Sequence, residues 1–263
     1  MIPRTLRYAI LGIVTTAACE GGNGTTGIQD SRQLGQLRFV HAVSDIATID
    51  YFADGKIVFS DQPVGSTSAY FDAKVDGLIA VVDGTTGDVL TTGALNLVKD
   101  ARFTALTSKA GTETTFLVYS HVGATPGNNQ TRFRFMNGAP NAGVLRIEID
   151  APGSSVPIHV VNLQPQDVFD PVLVGQATAY LEGDAGDYTF TAFSAAGVQL
   201  AQSQVTQLGA GGGWTIVISD DGLAGDEVDM DLLDDLNELV ATPLTPSVVV
   251  PERRPRIMSN ERG

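Results

Sequence analysis

Cysteine is almost absent from this chain, which has a single one, Cys19, among 263 residues. With one cysteine no disulfide can form within the chain, and no metal site built from several cysteines is available. Basic residues are scarce as well: 16 lysines and arginines stand against 30 aspartates and glutamates, a formal net charge of −14. This balance disfavours electrostatic attraction of the folded part to nucleic acid or to anionic lipid.

Long hydrophobic runs are missing too, because the apolar run near the N-terminus, residues 8–14, is too short to span a bilayer. It follows two arginines and precedes four small residues, the order typical of an export signal. The letters TTAAC, which end at Cys19, resemble the lipobox of bacterial lipoproteins, with Thr16 where that family prefers an apolar residue. The resemblance implies removal of residues 1–18 as a signal peptide and lipidation of Cys19. Ordinary cleavage after Ala18 would instead leave a free thiol.

Two segments show no apolar periodicity. Residues 19–36 are rich in Gly, Thr and Gln, which predicts a flexible tether from the lipidated cysteine. Residues 241–263 combine prolines with arginines, which predicts a disordered tail. The tether contains a formal G-x-G-x-x-G match, but a dinucleotide-binding loop must follow a strand and open a helix, and neither flank qualifies.

The rest of the chain contains an internal sequence repeat. LRFVHAVSD at 37–45 aligns with FRFMNGAPN at 133–141, and VGSTSAYF at 64–71 returns as VGQATAYL at 174–181. Because the matches come in the same order, they predict a duplicated domain. We place the copies at 37–122 and 130–240, joined by the Gly-, Pro- and Asn-rich stretch GATPGNNQ.

Each copy has the pattern of short strands. LRIEID at 145–150 alternates apolar and polar residues, as in a strand with one buried face. Asp54-Gly55 between two apolar stretches predicts a two-residue hairpin turn. The composition of DMDLLDDLNEL at 229–239 would suit an amphipathic helix, but the repeat predicts a strand near 228–233. The fold class expected is all-β, with two tandem antiparallel β-sandwich domains.

These residues resemble the domain of unknown function 4397, found in bacterial exported and surface proteins. The first copy has HAVSD, DYFADG and GSTSAY where that domain usually has H-A-S-P-D, V-D-V-Y-V-D-G and G-x-x-S-x-Y. The second copy diverges, with Asn137, Arg146 and Ala151 at the His, first Asp and Gly positions. The resemblance implies an extracytoplasmic, immunoglobulin-like sandwich and no known activity.

Few residues suggest catalysis. His41 is close to Ser44 and Asp45, yet groups so near in sequence seldom form a triad and no G-x-S-x-G is present. We expect His41 and Asp45 to make hydrogen bonds that shape the turn after the first strand. His121 and His159 are isolated and lack H-E-x-x-H spacing, so neither a zinc site nor a cofactor is expected.

Aromatic residues are the candidate contact points. By the repeat, Phe52 takes the place of Glu148 on the face opposite the core; cover by the partner domain or by a loop is the alternative. A loop found only in the second copy, 162–171, presents Asp167 and Phe169 between prolines that stiffen it. These three residues are the predicted binding residues, and no catalytic residue is predicted.

Two further features recur or cluster. Tyr70 and Tyr180 lie in the repeated motif, and we expect them to reach from core to rim with hydroxyls bonded to backbone. The segment 220–238 has nine acidic residues and no Lys or Arg. A solvated acidic edge is the expectation there; calcium binding is the alternative, although the D-x-D-x-D-G order is absent.

The sequence therefore predicts a binding or structural module of the bacterial cell envelope, anchored through its N-terminal lipid at the outer membrane, cell surface or periplasm. An envelope protein or polysaccharide is the expected partner, and nucleic acid is not. The alternative is a hydrolase acting on envelope or extracellular polymers. An enzyme needs convergent titratable groups in a cleft, and because the sequence shows no such group, no enzymatic activity is expected.

Overall fold

The protein is described from a computed structural model. The structure describes residues 33–110, 112–151, 159–163, 178, 180–220, 228–237 and 242–243. In these ranges all regular secondary structure is β-strand, so the predicted all-β class is confirmed.

The first sandwich contains eight strands. They are β1 (Leu34–His41), β2 (Thr48–Ala53), β3 (Lys56–Pro63), β4 (Phe71–Lys74), β5 (Leu78–Asp83), β6 (Val89–Ala94), β7 (Arg102–Ala110) and β8 (Glu113–Ser120). Sheet 1 has the strand order β3-β2-β5-β6, and sheet 2 has the order β4-β1-β7-β8.

The second sandwich follows the same plan. Its strands are β9 (Gln130–Gly138), β10 (Leu145–Asp150), β11 (His159–Leu163), β12 (Leu181–Asp184), β13 (Gly186–Ser194), β14 (Gln199–Gln202), β15 (Thr206–Leu208), β16 (Gly213–Asp220), β17 (Val228–Asp234) and β18 (Thr242–Pro243). Sheet 3 has the order β12-β9-β16-β17-β18. Sheet 4 has the order β11-β10-β13-β14, and β15 also pairs with β13.

Strand pairing is antiparallel with one exception in each sandwich. β1 runs parallel to β7, and β9 runs parallel to β16. Every pairing among the described strands joins strands of the same sandwich. β17 is the strand that the repeat predicted in place of an amphipathic helix, and this prediction is confirmed.

The predicted hairpin turn also forms. Asp54 and Gly55 connect β2 to β3 with φ of 49° and 74°, and Ala53 pairs with Lys56 across the turn. Two consecutive positive φ values are the backbone signature of a type I′ turn, which Asp-Gly favours because both residues tolerate the left-handed region.

Each sandwich has its own apolar core. The core between sheets 1 and 2 includes Phe39 stacked on Tyr51, with ring centroids 4.1 Å apart. The core between sheets 3 and 4 includes Phe133, Phe135 and Phe190 in edge-to-face contacts. Edge-to-face pairs such as those of the second core add to the free energy that burial supplies.

A third apolar cluster joins the sandwiches, because sheets 2 and 3 pack face to face. Its members are Val40, Ala42, Leu106, Leu117 and Tyr119 from the first sandwich and Met136, Val217 and Leu233 from the second. β1 and β9 are consequently buried on both faces. Their backbones approach closely, since a Cβ on Gly138 would lie 2.8 Å from the Cβ of Ala42. The molecule is thus a stack of four sheets in the order 1-2-3-4.

Candidate functional site

Of the residues predicted to bind a partner, Phe52 is the one in the described part of the chain. It lies on the face of sheet 1 that points away from the core, in a small cluster with Ala80 and Val82. The side chain is only 9% exposed, which favours the alternative that Phe52 is covered. Its role in binding stays a prediction, and we expect Phe52→Ser to lower stability because it removes buried apolar area.

The other predicted site residues lie outside the described residues. They are Cys19, Asp167 and Phe169. The signal segment 1–18, the tether up to residue 32 and the tail from residue 244 lie outside them as well.

His41 shapes the turn after β1, as predicted. It is fully buried. Its Nδ1 accepts a hydrogen bond from the Val43 backbone N–H at 3.2 Å, so the ring proton is on Nε2, which donates to the Ile46 carbonyl at 2.9 Å. Burial lowers the pKa of His41 to about 4, which keeps the ring neutral. With both ring nitrogens bonded to backbone, His41 cannot act as a base for Ser44.

Asn137 stabilises the corresponding loop of the second sandwich, the one after β9, through hydrogen bonds to its backbone. Its Oδ1 accepts from the Ala139 N–H at 2.9 Å, and its Nδ2 donates to the Gly143 carbonyl at 3.0 Å. A side-chain amide offers the same acceptor and donor as a neutral imidazole. The replacement of His by Asn therefore preserves the loop without any imidazole chemistry.

The loops after β1 and β9 lie side by side at one end of the interface between the sandwiches. They border an open cleft of about 320 Å³. Its lining residues are Val43, Ser44, Asp45, Lys109, Pro140 and Asn141. We predicted that the Asp45 carboxylate would bond within its own turn, and this prediction is wrong. The carboxylate pairs with the Lys109 ammonium at the end of β7.

The other end of the interface holds a buried polar cluster. Arg38 is 1% exposed, and its guanidinium donates three hydrogen bonds. Nε bonds Thr104 Oγ1 at 2.9 Å, Nη1 bonds the Asp234 carbonyl at 2.8 Å, and Nη2 bonds Asp235 Oδ1 at 2.6 Å. The guanidinium carbon also lies 4.8 Å from the ring centroid of Tyr70. One side chain of the first sandwich is thus held by two residues of the second.

The Asp235 carboxylate is fully satisfied. Besides Arg38, it accepts hydrogen bonds from Thr215 Oγ1 at 2.6 Å and from Tyr180 Oη at 2.7 Å, both on Oδ2. Its side chain is 0% exposed. The desolvation cost of a buried ion pair is offset when further hydrogen bonds satisfy its remaining lone pairs and protons, as they do here.

Arg134 repeats the geometry of Arg38 from the opposite side. Its Nε donates to Thr215 Oγ1 at 2.9 Å, its Nη1 donates to the Ser120 carbonyl at 2.7 Å, and its guanidinium carbon lies 4.7 Å from the Tyr180 ring centroid. The Nε and Nη1 bonds and the tyrosine ring contacts of the two arginines match, so the cluster has a pseudo-twofold axis. The matched positions are Arg38 and Arg134, Thr104 and Thr215, Tyr70 and Tyr180, Asp234 and Ser120, and Asp235 and His121.

His121 stands where the second sandwich has Asp235. Thr104 Oγ1 accepts from Arg38 and therefore donates its own proton to His121 Nε2, 2.9 Å away. The ring proton is then on Nδ1, which lies 3.1 Å from Tyr70 Oη and 3.3 Å from the Asp235 carbonyl. Burial lowers the pKa of His121 to about 3, against the opposing effect of the Asp235 charge. His121 is neutral and structural.

The prediction for the two tyrosines is wrong about their partners. The hydroxyls of Tyr70 and Tyr180 bond the side chains of His121 and Asp235, not backbone groups. The repeated motif could not show this, because the two partners come from β-strand ends far away in the sequence.

The acidic segment is not a solvated edge throughout. Asp220, Asp234 and Asp235 are buried; Asp234 accepts backbone N–H groups of the turn that follows β17. Burial raises the pKa of Asp231 to about 7, and the neighbouring charge of Asp229 adds to the shift. Three or more metal-ligating side chains do not gather anywhere in the described ranges.

Sequence reasoning missed the two arginines. Each occupies the second position of the repeated L/F-R-F segment, on a strand that is otherwise apolar. A charged residue at the same place in two such strands was the available signal, since buried charges need partners.

Residues 35–148 match the family model described as "Domain of unknown function (DUF4397)". The resemblance predicted from the sequence motifs is confirmed over that range, which covers β1 to β9 and most of β10. The match therefore extends past the first sandwich into the second. No curated protein matches the chain.

Two of the solved structures that match the chain are remotely similar to it. A leucine-rich repeat protein from Bacteroides thetaiotaomicron is 14% identical, over 68% of this chain and 25% of its own length, with a TM-score of 0.18. A DUF3823 family protein from Bacteroides ovatus is 11% identical, over 67% of this chain and 98% of its own, with the same TM-score of 0.18. The described residues include no helix with the length and apolarity of a membrane span.

Proposed function

With residues 35–148 as a region of the DUF4397 family, we propose that the protein is a binding or structural module of the bacterial cell envelope, lipid-anchored at Cys19, and not an enzyme. One observation carries the non-catalytic part. His41, the imidazole beside the cleft, has both ring nitrogens bonded to backbone in its own loop. A general base must reach the proton that it abstracts, and this ring has no free nitrogen to do so.

The other strongly polar side chains of the interface support the same conclusion. The guanidinium groups of Arg38 and Arg134 donate hydrogen bonds from one sandwich to the other. The side chains of Tyr70, His121 and Asp235 are hydrogen-bonded within the same cluster. Catalytic groups usually gather in an accessible pocket, with donors and acceptors free for the reacting molecule. In this molecule the chemically versatile residues stabilise the stack of sheets.

The function that remains for the surface is adhesion. The four-sheet stack presents the loops after β1 and β9 together, so both sandwiches can contact one partner through the cleft between Asp45 and Asn141. An envelope polysaccharide or an envelope protein suits this polar cleft, which offers hydroxyl, amide, carboxylate and ammonium groups.

Membrane fractionation tests the anchor. The wild-type protein is expected in the membrane fraction and the Cys19→Ser variant in the soluble fraction, because several acyl chains anchor firmly whereas none remain in the variant. Asn23→Ser, in the same segment, serves as the control and should not change the distribution. Mass spectrometry of the mature N-terminus that finds an unmodified thiol would refute lipidation.

Loop variants test adhesion. Replacing Ser44 and Asn141 with Arg fills the cleft with long cations at its two walls. Retention of the protein on isolated envelope polysaccharide or on purified envelope proteins should fall, while the unfolding temperature stays close to that of the wild type. Turnover of a glycan, peptide or ester that His41→Ala abolishes would overturn the non-enzymatic proposal and favour the hydrolase.

A further inference from the structure

Arg134 differs from Arg38 in one hydrogen bond. The Nη2 of Arg38 meets the Asp235 carboxylate at 2.6 Å, whereas the Nη2 of Arg134 has no hydrogen-bond partner. Arg134 is 4% exposed, so bulk water is not in contact with most of this guanidinium. A buried cation without a counter-charge is costly, and structures rarely tolerate one.

The residue at the matching position cannot supply the missing charge. His121 stands where Arg38 has Asp235, and its Nε2 already accepts the proton of Thr104. The ring is neutral, and its remaining N–H is a donor like the guanidinium itself. Asp235 does not help either, because its two oxygens serve Arg38, Thr215 and Tyr180. Two buried guanidinium groups therefore face one carboxylate.

A second unpartnered donor lies on the same side of the interface. Tyr119 is 1% exposed, and its hydroxyl has no hydrogen-bond partner. Arg134 Nη1 bonds the carbonyl of Ser120, the next residue along β8, and the Arg134 charge acts on the pKa of Tyr119, opposing the rise that burial causes. The matching residue in the second sandwich is the apolar Leu233, so Arg38 has no such hydroxyl beside it.

We propose that Arg134 Nη2 and Tyr119 Oη bind a small inorganic monoanion, chloride, between the two sandwiches. A guanidinium N–H and a phenol O–H both donate, so what they share must be an acceptor, and the uncompensated positive charge of Arg134 favours an anion over water. The ion stands in for the carboxylate that the second sandwich supplies through Asp235. Bromide is a monoanion of similar size and the same charge as chloride, whereas gluconate is a much larger organic anion and serves as the comparison ion.

Thermal unfolding of the full-length protein gives the first test. Chloride and gluconate are compared as sodium salts at equal ionic strength, so that screening is the same. A tenfold excess of chloride over its dissociation constant should raise Tm by about 3–6 °C relative to gluconate, and the effect should saturate. Equal Tm values in the two salts across the concentration series would overturn the proposal.

Variants locate the effect. His121→Asp places a carboxylate at the position matched to Asp235 and should abolish the difference between the two salts. Tyr119→Phe removes one ligand and should move the chloride midpoint to a higher concentration. Tyr188→Phe, which removes a hydroxyl bonded to the Asp184 carbonyl away from this interface, should leave the chloride response unchanged. A chloride response that survives Tyr119→Phe unaltered contradicts the assignment, even if His121→Asp fails to fold.

Crystals grown with bromide give a direct test that needs no variant. Anomalous scattering should show a bromide beside Arg134 Nη2 and within hydrogen-bond distance of Tyr119 Oη. Ordinary water density at that place, with bromide bound elsewhere or not at all, would show that a water molecule bridges the two donors and would overturn the proposal.

Discussion

The two halves of the buried interface cluster share a backbone geometry but differ in charge at one matched position, Asp235 in one half and His121 in the other. Arg38 and Arg134 each bond a threonine hydroxyl and a backbone carbonyl and lie over a tyrosine ring. Arg38 also donates to the Asp235 carboxylate, whereas the position matched to Asp235 holds His121. The comparison shows that duplicated sheets can keep the same framework while the charge balance at matched places diverges. Arg38 forms an ion pair with the Asp235 carboxylate. Arg134 Nη2 has no hydrogen-bond acceptor among the described residues.

The largest expected effect comes from exchanging the arginines for methionine, which keeps much of the apolar stem. Arg38→Met leaves the Asp235 carboxylate buried without its cation and should lower the free energy of unfolding by about 3–5 kcal/mol. Arg134→Met leaves no buried carboxylate without its cation, so it should lower the free energy of unfolding by clearly less than Arg38→Met does. Chemical denaturation of both variants measures the difference; equal losses would contradict the asymmetry. Asp88→Asn, on an exposed turn, controls for the loss of one surface charge.

A second comparison concerns Asp231, whose matched residue in the first sandwich is Leu117. The pKa of Asp231 is about 7 in the folded protein against 3.8 for a free carboxyl. Between these values the folded state binds more protons than the unfolded state, so this group's contribution to stability falls as pH rises. Asp231→Asn should stabilise the protein by up to about 4 kcal/mol at pH 8. The gain should shrink by about 2–3 kcal/mol at pH 5, and a gain that does not depend on pH would contradict the assigned shift.

The matched residues His41 and Asn137 predict a smaller pH dependence of stability, opposite in sign to that of Asp231. The pKa of His41 is about 4 in the folded protein and 6.5 when the ring is free. In that window the unfolded state binds a proton that the folded state refuses, so stability is lost as pH falls below 6.5. His41→Asn copies the second sandwich and should recover about 2 kcal/mol of the loss between pH 7 and pH 5. Denaturation curves at both pH values check it, and an unchanged pH dependence would show that the loop tolerates a charged His41.

The smallest effect is expected at the other end of the interface. The Lys109 and Asp45 side chains are 23% and 61% exposed, in contrast to 1% and 0% for the buried pair. Lys109→Met should therefore cost less than about 1 kcal/mol, since water and salt screen a surface pair. The loss should also decrease in high salt, whereas that of Arg38→Met should change little. A loss as large as that of Arg38→Met would show that the two ends are not different in kind.

Much of the fold could be predicted because its signals are local. Alternation along LRIEID, the Asp54-Gly55 turn and the repeated wording around His41 each depend on residues a few positions apart. β17 was assigned as a strand against its helix-like composition because the repeat supplied a template. The candidate site was less accessible: the loop role of His41 was predicted, but the partners of Tyr70 and Tyr180 were not.

The amino-acid sequence by itself determined the all-β class, the strand positions and the turn geometry, since side-chain period and glycine placement act within a few residues. Only the tertiary structure decided how sheets 2 and 3 meet. The Arg38–Asp235 pair joins residues 197 positions apart, and no local pattern marks either as the other's partner. It is the packing of one sandwich on the other that removes water from these charges, and the same packing leaves Arg134 with an unpartnered donor.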